Sequence, residues 1–138
     1  MWVVYALLSA VFASLTAIFA KVGIKGVDTD LATAIRTVVI LVLAWGIAFA
    51  RGGASTISTL SRNNVIFLVL SGIATGLSWI FYFKALQLGN VSQVAPIDKL
   101  SVALTIVLAF VFLKEPMTPK VIIGAGLIMA GTLIIIIK

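Results

Sequence analysis

Almost the whole chain falls into five apolar stretches, each about as long as a lipid bilayer is thick. They cover roughly residues 2–22, 31–50, 64–86, 91–113 and 119–137. A helix rises about 1.5 Å per residue, so about 20 residues cross the ~30 Å hydrocarbon layer. The polar remainder cannot clothe a water-soluble core: 62% of the 138 residues are hydrophobic and 10% are charged. A soluble domain carries about 25% charged residues. The expected fold class is all-α: one polytopic membrane domain, residues 1–138, with five transmembrane helices.

The connections support this division. "KGVDTD" separates the first two spans, and Asp30 is the expected N-cap of the second. "RGGASTISTLSRNN" reads as a solvated loop, and "QLGN" as a tight turn. Thr118-Pro119 is a helix start, an N-cap followed by proline at the first helical position. The N-terminus is apolar at once, without a basic leader, and is read as a retained first helix. Trp2, Tyr5, Trp45 and Phe49 fit one interfacial belt; Trp79, Phe81, Tyr82 and Phe83 fit the other.

Orientation is weakly specified. Arg51, Arg62, Lys114 and Lys120 fall on one side, and Lys21, Lys25 and Lys138 on the other, with no clear bias. Five spans put the termini on opposite faces. A tandem copy of such a unit inserts upside down, the inverted repeat of many secondary transporters. A single unit reproduces that arrangement by pairing with an oppositely inserted partner, which a balanced charge count permits.

Polar side chains recur at helical spacing. Ser71, Thr75, Ser78 and Tyr82 share a stripe on the third span. Asp98, Ser101 and Thr105 do so on the fourth, and Thr33, Arg36 and Thr37 cluster on the second. The fifth span differs. Gly124, Gly126, Ala130 and Gly131 interrupt its Ile, Leu and Val, and Thr132 is its one uncharged polar side chain. One expectation is a wet or ligand-filled cavity among the first four spans, with the fifth used for packing or dimer contacts. The alternative is that Ser and Thr bond their own helix carbonyls and that small residues, as in Gly72-x-x-x-Gly76, let helices approach closely.

"QVAPIDKLSVAL" (93–104) puts Pro96, Asp98 and Lys99 inside the fourth span. A span starting at Leu100 would have 14 residues and rise about 21 Å, too short for the hydrocarbon. Asp98 and Lys99 therefore lie at membrane depth, where a charge costs at least about 2.5–3.5 kcal/mol. On a regular helix they point about 100° apart, so they are not expected to pair. Pro96 cannot donate to the Ser92 carbonyl, and the helix is expected to break there. A broken helix beside a charge is how transporter sites are often built. A purely structural reading pairs Asp98 with Arg36.

The chain lacks Cys and His. That excludes disulfides, thiolate chemistry and Cys/His metal sites. No span holds a carboxylate pair and no glycine-rich phosphate loop is present, so neither an enzyme nor a cofactor is expected. The net charge of +6 comes from scattered basic residues, without a run that suggests nucleic acid.

The second half, "YFKALQLGNVSQVAPIDKLSVALTIVLAFVFLKEPMTPKVIIGAGLIMAG", resembles an EamA-type repeat of the drug/metabolite transporter superfamily. The matching features are Ala85, Leu86 and Gly89, then Ser92 and "APIDKLS", "FLKEP" and "GAGLIMAG". "LATAIRTVVILVLAW" resembles the family's second helix, including Arg36. The resemblance implies a half-size, five-helix member forming one half of an inverted-repeat transporter. It further implies an antiparallel homodimer or a heterodimer in the cytoplasmic membrane of a bacterium or archaeon. Such proteins move small metabolites without ATP. Small multidrug-resistance proteins, distant relatives, carry a carboxylate in the first helix; this chain has none there, so the resemblance does not extend to cation export by that route.

The expected function is a secondary-transporter half that moves a small solute by alternating access as a dimer. Its candidate substrate- or proton-binding residues are Asp98, Lys99, Arg36, Ser71, Thr75, Ser78, Tyr82, Ser101 and Thr105, with Pro96 as the helix break. The partners are the solute and membrane lipid. The rival is a non-transporting interaction subunit or half of a heterodimeric lipid flippase.

Overall fold

The computed structural model describes residues 1–137; Lys138, counted above for orientation, lies outside the described residues. The described residues form helices and no strands. In chain order these are α1 (Trp2–Gly23), α2 (Thr29–Ala50), a 3-10 helix (Gly53–Thr59), α3 (Arg62–Leu88), α4 (Val91–Asp98), α5 (Leu100–Leu113) and α6 (Pro119–Ile136). Taking α4 and α5 as one interrupted span, five segments are long and apolar enough to cross a membrane. Lipid supplies no hydrogen-bond partners, so the backbone must satisfy itself, and the helix does this within one segment.

The helix ends follow local chemistry. Asp28, not Asp30, caps α2: its Oδ1 accepts from the backbone N–H groups of Asp30 and Leu31, both at 3.0 Å. Asp30 instead lies in the first turn, where its carboxylate still meets the positive end of the helix. Thr118 caps α6 as expected, accepting from the Val121 N–H at 3.4 Å, with Pro119 following. Gly26 and Gly52 take the left-handed backbone that their turns need, with φ of 72° and 74°. Within "RGGASTISTLSRNN" the structure has a 3-10 helix rather than an irregular loop. Its hydroxyls bond back three residues: Ser55 to the Gly52 carbonyl at 2.6 Å and Thr56 to Gly53 at 2.8 Å. Such bonds give short polar segments a turn of their own.

Two compact units divide the chain. One comprises Phe19–Gln87; the other comprises Met1–Ile18 and the residues from Leu88 onward. In the first, the ends of α1 and α3 clamp each other. Lys21 in the last turn of α1 donates its ammonium to the Leu86 carbonyl. Gln87 donates its side-chain amide to the carbonyls of Ile24 (3.2 Å) and Val27 (2.6 Å). Leu86 lies in the last turn of α3, where carbonyls lack intrahelical donors, while Ile24 and Val27 belong to the turn that follows α1. The buried residues Ile24, Thr29, Thr33, Phe83 and Leu86 all belong to this unit.

In the second unit α6 packs against α4 and α5. The buried residues of α6 are Ala125 and Thr132, seven apart and so on one face. Gly124 and Gly126 beside this face are half-buried, and Ala130 and Gly131 are exposed. A methyl group added at Gly124, Gly126 or Gly131 would meet nothing within 4 Å, and the same holds for Gly72 and Gly76. The packing face lies one position away, about 100° around the helix. Most other span side chains are exposed, as an apolar surface facing lipid can be.

The fourth span is interrupted three residues after Pro96, which itself lies inside a helix. α4 ends at Asp98, and Lys99 (φ −71°, ψ −8°) joins it to α5. The Lys99 N–H reaches the Pro96 carbonyl at 3.0 Å, a three-residue step rather than four. That carbonyl also accepts from Thr132 Oγ1 at 3.3 Å. The Thr132 hydroxyl has one proton and shares it with the Ile128 carbonyl of its own helix at 2.8 Å. The buried threonine of α6 is thus the side-chain donor at the break.

Asp28→Ala should destabilise the protein by about 1 kcal/mol through loss of the cap, and Asp30→Ala by less. Thermal unfolding in mild detergent compares them; equal losses would show that Asp28 is not the cap. Thr132→Val keeps the shape and removes the donor at the break. It should cost about 0.6–1.7 kcal/mol, as interhelical bonds in membranes do, whereas Thr132→Ser should cost less. A valine variant as stable as the serine variant would remove the role of that bond.

Candidate functional site

Charged residues inside a bilayer need a partner, and each unit satisfies its own in a different way. In Phe19–Gln87 the cation is Arg36, seven residues into α2 and so about 10 Å along the helix from its start. Its Cζ lies 4.2 Å from the centroid of the Trp79 ring and 5.1 Å from that of Phe83. Both rings stand on α3, and the Tyr82 ring follows, 6.4 Å from Phe83. Trp79 and Phe83 are four apart, so they share one face of α3. Phe83 is 2% exposed, so one side of this shelf is firmly packed. A cation over an aromatic face gains about 0.5–2 kcal/mol, more when desolvated. That falls short of the at least 2.5–3.5 kcal/mol that a charge costs at mid-membrane.

The residues flanking Arg36 are occupied within their own helix. Thr33 Oγ1 donates to the Thr29 carbonyl and Thr37 Oγ1 to the Thr33 carbonyl, each at 2.8 Å. On α3, Thr75 Oγ1 donates to the Ser71 carbonyl at 2.8 Å. Ser71, Thr75 and Ser78 are exposed on the chain, and Tyr82 is half-buried. The back-bonding reading therefore describes Thr33, Thr37 and Thr75.

In the other unit, Asp98 and Lys99 sit at the junction of α4 and α5. Lys99 Nζ lies 3.4 Å from Asp98 Oδ2, so the two neighbours do pair. The expectation that they would not pair assumed an unbroken helix. Lys99 is the residue at which the helical path is interrupted, and both side chains reach into open space, 56% and 37% exposed. Lys99 is thus Asp98's counter-charge within its own unit. Ser101 and Thr105, further along α5, are exposed.

The structure thus brings Asp98, Lys99 and Pro96 to one break, and it gives Arg36 aromatic partners that the sequence reading had assigned to a membrane belt. Thr132 and Gln87 were missed as bonding partners. A lone threonine in an apolar helix and a glutamine at a helix end were the available signals, but neither names the carbonyl it meets.

Comparison with known proteins agrees with this architecture. An uncharacterized transporter in the cobO 3′ region of a Sinorhizobium species is 46% identical over 134 residues, covering 97% of this chain and 95% of the relative. No solved structure matches. The family model for EamA-like transporters matches residues 1–137, and with five apolar helices ordered as described, the chain belongs to the EamA-like transporter family.

Proposed function

We propose that this transporter is one half of a secondary transporter that moves a small solute across the cytoplasmic membrane by alternating access, working as an antiparallel homodimer or with a second half. The observation that carries this reading is the discontinuous fourth span. A proline, an ion pair and a side-chain-held carbonyl coincide at one break, about 10 Å along the helix from its start at Val91. Secondary transporters place substrate and coupling ions at such breaks, where irregular backbone lines a cavity.

Asp98 is the proton- or substrate-responsive group in this scheme. Its protonation leaves Lys99 without a counter-charge, so the pair is a two-state element that a proton can bias. On α5, Ser101 and Thr105 carry exposed hydroxyls, and on α3 Ser71 and Ser78 do; each set is a candidate contact for solute or water. Ala130 and Gly131 are exposed within the chain, and with Gly124 and Gly126 they are the small residues offered to a partner helix.

Asp98→Asn should remove or shift the pH dependence of solute uptake in reconstituted vesicles. Uptake that matches the unmodified protein at every pH would end the proposed role of Asp98. The chain has no cysteine, so single cysteines report directly on water access. Cysteines at Ser78 and Thr105 should react with membrane-impermeant maleimide, and solute should slow the reaction. If neither reacts from either face, the aqueous path lies elsewhere.

A further inference from the structure

The shelf under Arg36 carries more than a structural contact. An aromatic face answers the positive charge of a guanidinium but offers no lone pair in the plane of its N–H groups. Those donors, up to five, want oxygen acceptors in a fork. Among the described residues of its own unit Arg36 meets the two rings and, electrostatically, the Tyr82 phenol, but makes no ion pair with a carboxylate. The two carboxylates of that unit do not answer it. Asp28 is engaged in capping α2, and Asp30 is exposed in the first turn. The unit is basic besides, with Lys21, Lys25, Arg36, Arg51, Arg62 and Lys84 against Asp28 and Asp30. Lys21 already donates to the Leu86 carbonyl. Arg36 is therefore a cation held in place by two rings, about 10 Å along its helix from the end, with its directional donors open.

We propose that Arg36, seated on Trp79 and Phe83, binds the oxyanion of the transported solute, a carboxylate whose apolar remainder lies along the aromatic face. The assignment to a solute rests on the transport reading; the oxyanion chemistry does not. A planar guanidinium matches a carboxylate bidentately, and a ring that fixes the fork lowers the ordering cost of that match. A lipid phosphate offers the same acceptor chemistry, so the two sources have to be separated by experiment.

Trp79 is itself the reporter. Of the chain's 3 tryptophans, Trp2 and Trp45 are changed to phenylalanine, leaving Trp79 as the one indole. Benzoate is titrated against its neutral isostere benzamide in detergent. Benzoate should change Trp79 emission saturably, and Arg36→Gln should weaken it by about 10-fold or more, the loss expected of a charge-assisted pair. Arg36→Lys keeps a cation but loses the fork, and should also bind benzoate more weakly. It serves in place of the glutamine variant if circular dichroism shows that variant unfolded. Equal responses to benzoate and benzamide, or unaltered benzoate binding in a folded Arg36 variant, would overturn the site. The lipid arm uses nanodiscs of phosphatidylcholine with and without phosphatidylglycerol. A Trp79 shift caused by phosphatidylglycerol alone, with loss of the benzoate response, would overturn the solute assignment. Binding without benzoate uptake in vesicles leaves the site and counts against transport of this anion. Uptake that Arg36→Gln leaves unchanged does the reverse.

Discussion

A carbonyl or N–H group in hydrocarbon must find its partner inside the protein, and this requirement organises the molecule. It makes every span a helix. It also singles out the places where a helix stops or breaks, because those are where backbone groups come free. In the turn after α1, Gln87 donates to the Ile24 and Val27 carbonyls, and at the end of α3, Lys21 donates to the Leu86 carbonyl. At the break between α4 and α5, the Pro96 carbonyl is held by the Lys99 N–H and by Thr132 from α6. Among the described residues, Lys21, Gln87 and Thr132 hydrogen-bond across elements to backbone carbonyls at helix ends, turns and the break, while Arg36 reaches aromatic rings instead.

The same requirement explains what the sequence could reveal. The five spans were legible because length and apolarity alone decide them: none can be much shorter than about 20 residues and still cross. The break was legible because proline's missing donor is a local fact. What lay beyond reach was set by tertiary register. Trp79 and Phe83 look like interfacial aromatics in the sequence, and only the placement of α2 against α3 turns them into a shelf for Arg36. Thr132 looks like a minor polar interruption until α6 is laid against α4. The cap on α2 shifted by two residues, from Asp30 to Asp28, because both acidic residues suit a helix start and the geometry of the preceding glycine turn selects between them.

The Asp98–Lys99 pair shows a subtler limit. Regular helix geometry separates adjacent side chains by about 100°, and that argument is sound for an intact helix. Here the chain gives up regularity at Lys99 itself, so the assumption fails at the one position where it was needed. Adjacent opposite charges next to a proline should therefore be read as able to pair.

That pairing alters the charge balance that bears on the solute. With Asp98 and Lys99 neutralising each other, the break carries no net charge while the pair is intact. In the unit containing Arg36 the cation rests on aromatic faces, while Asp28 caps α2 and Asp30 lies exposed in its first turn. In the proposed scheme an anionic preference rests on Arg36, and sensitivity to protons rests on Asp98. The two roles are carried by residues in separate units of the chain, each satisfied in its own way. In that scheme each element is biased by its own ligand, because a ligand shifts a conformational equilibrium only through its differential affinity for the two states.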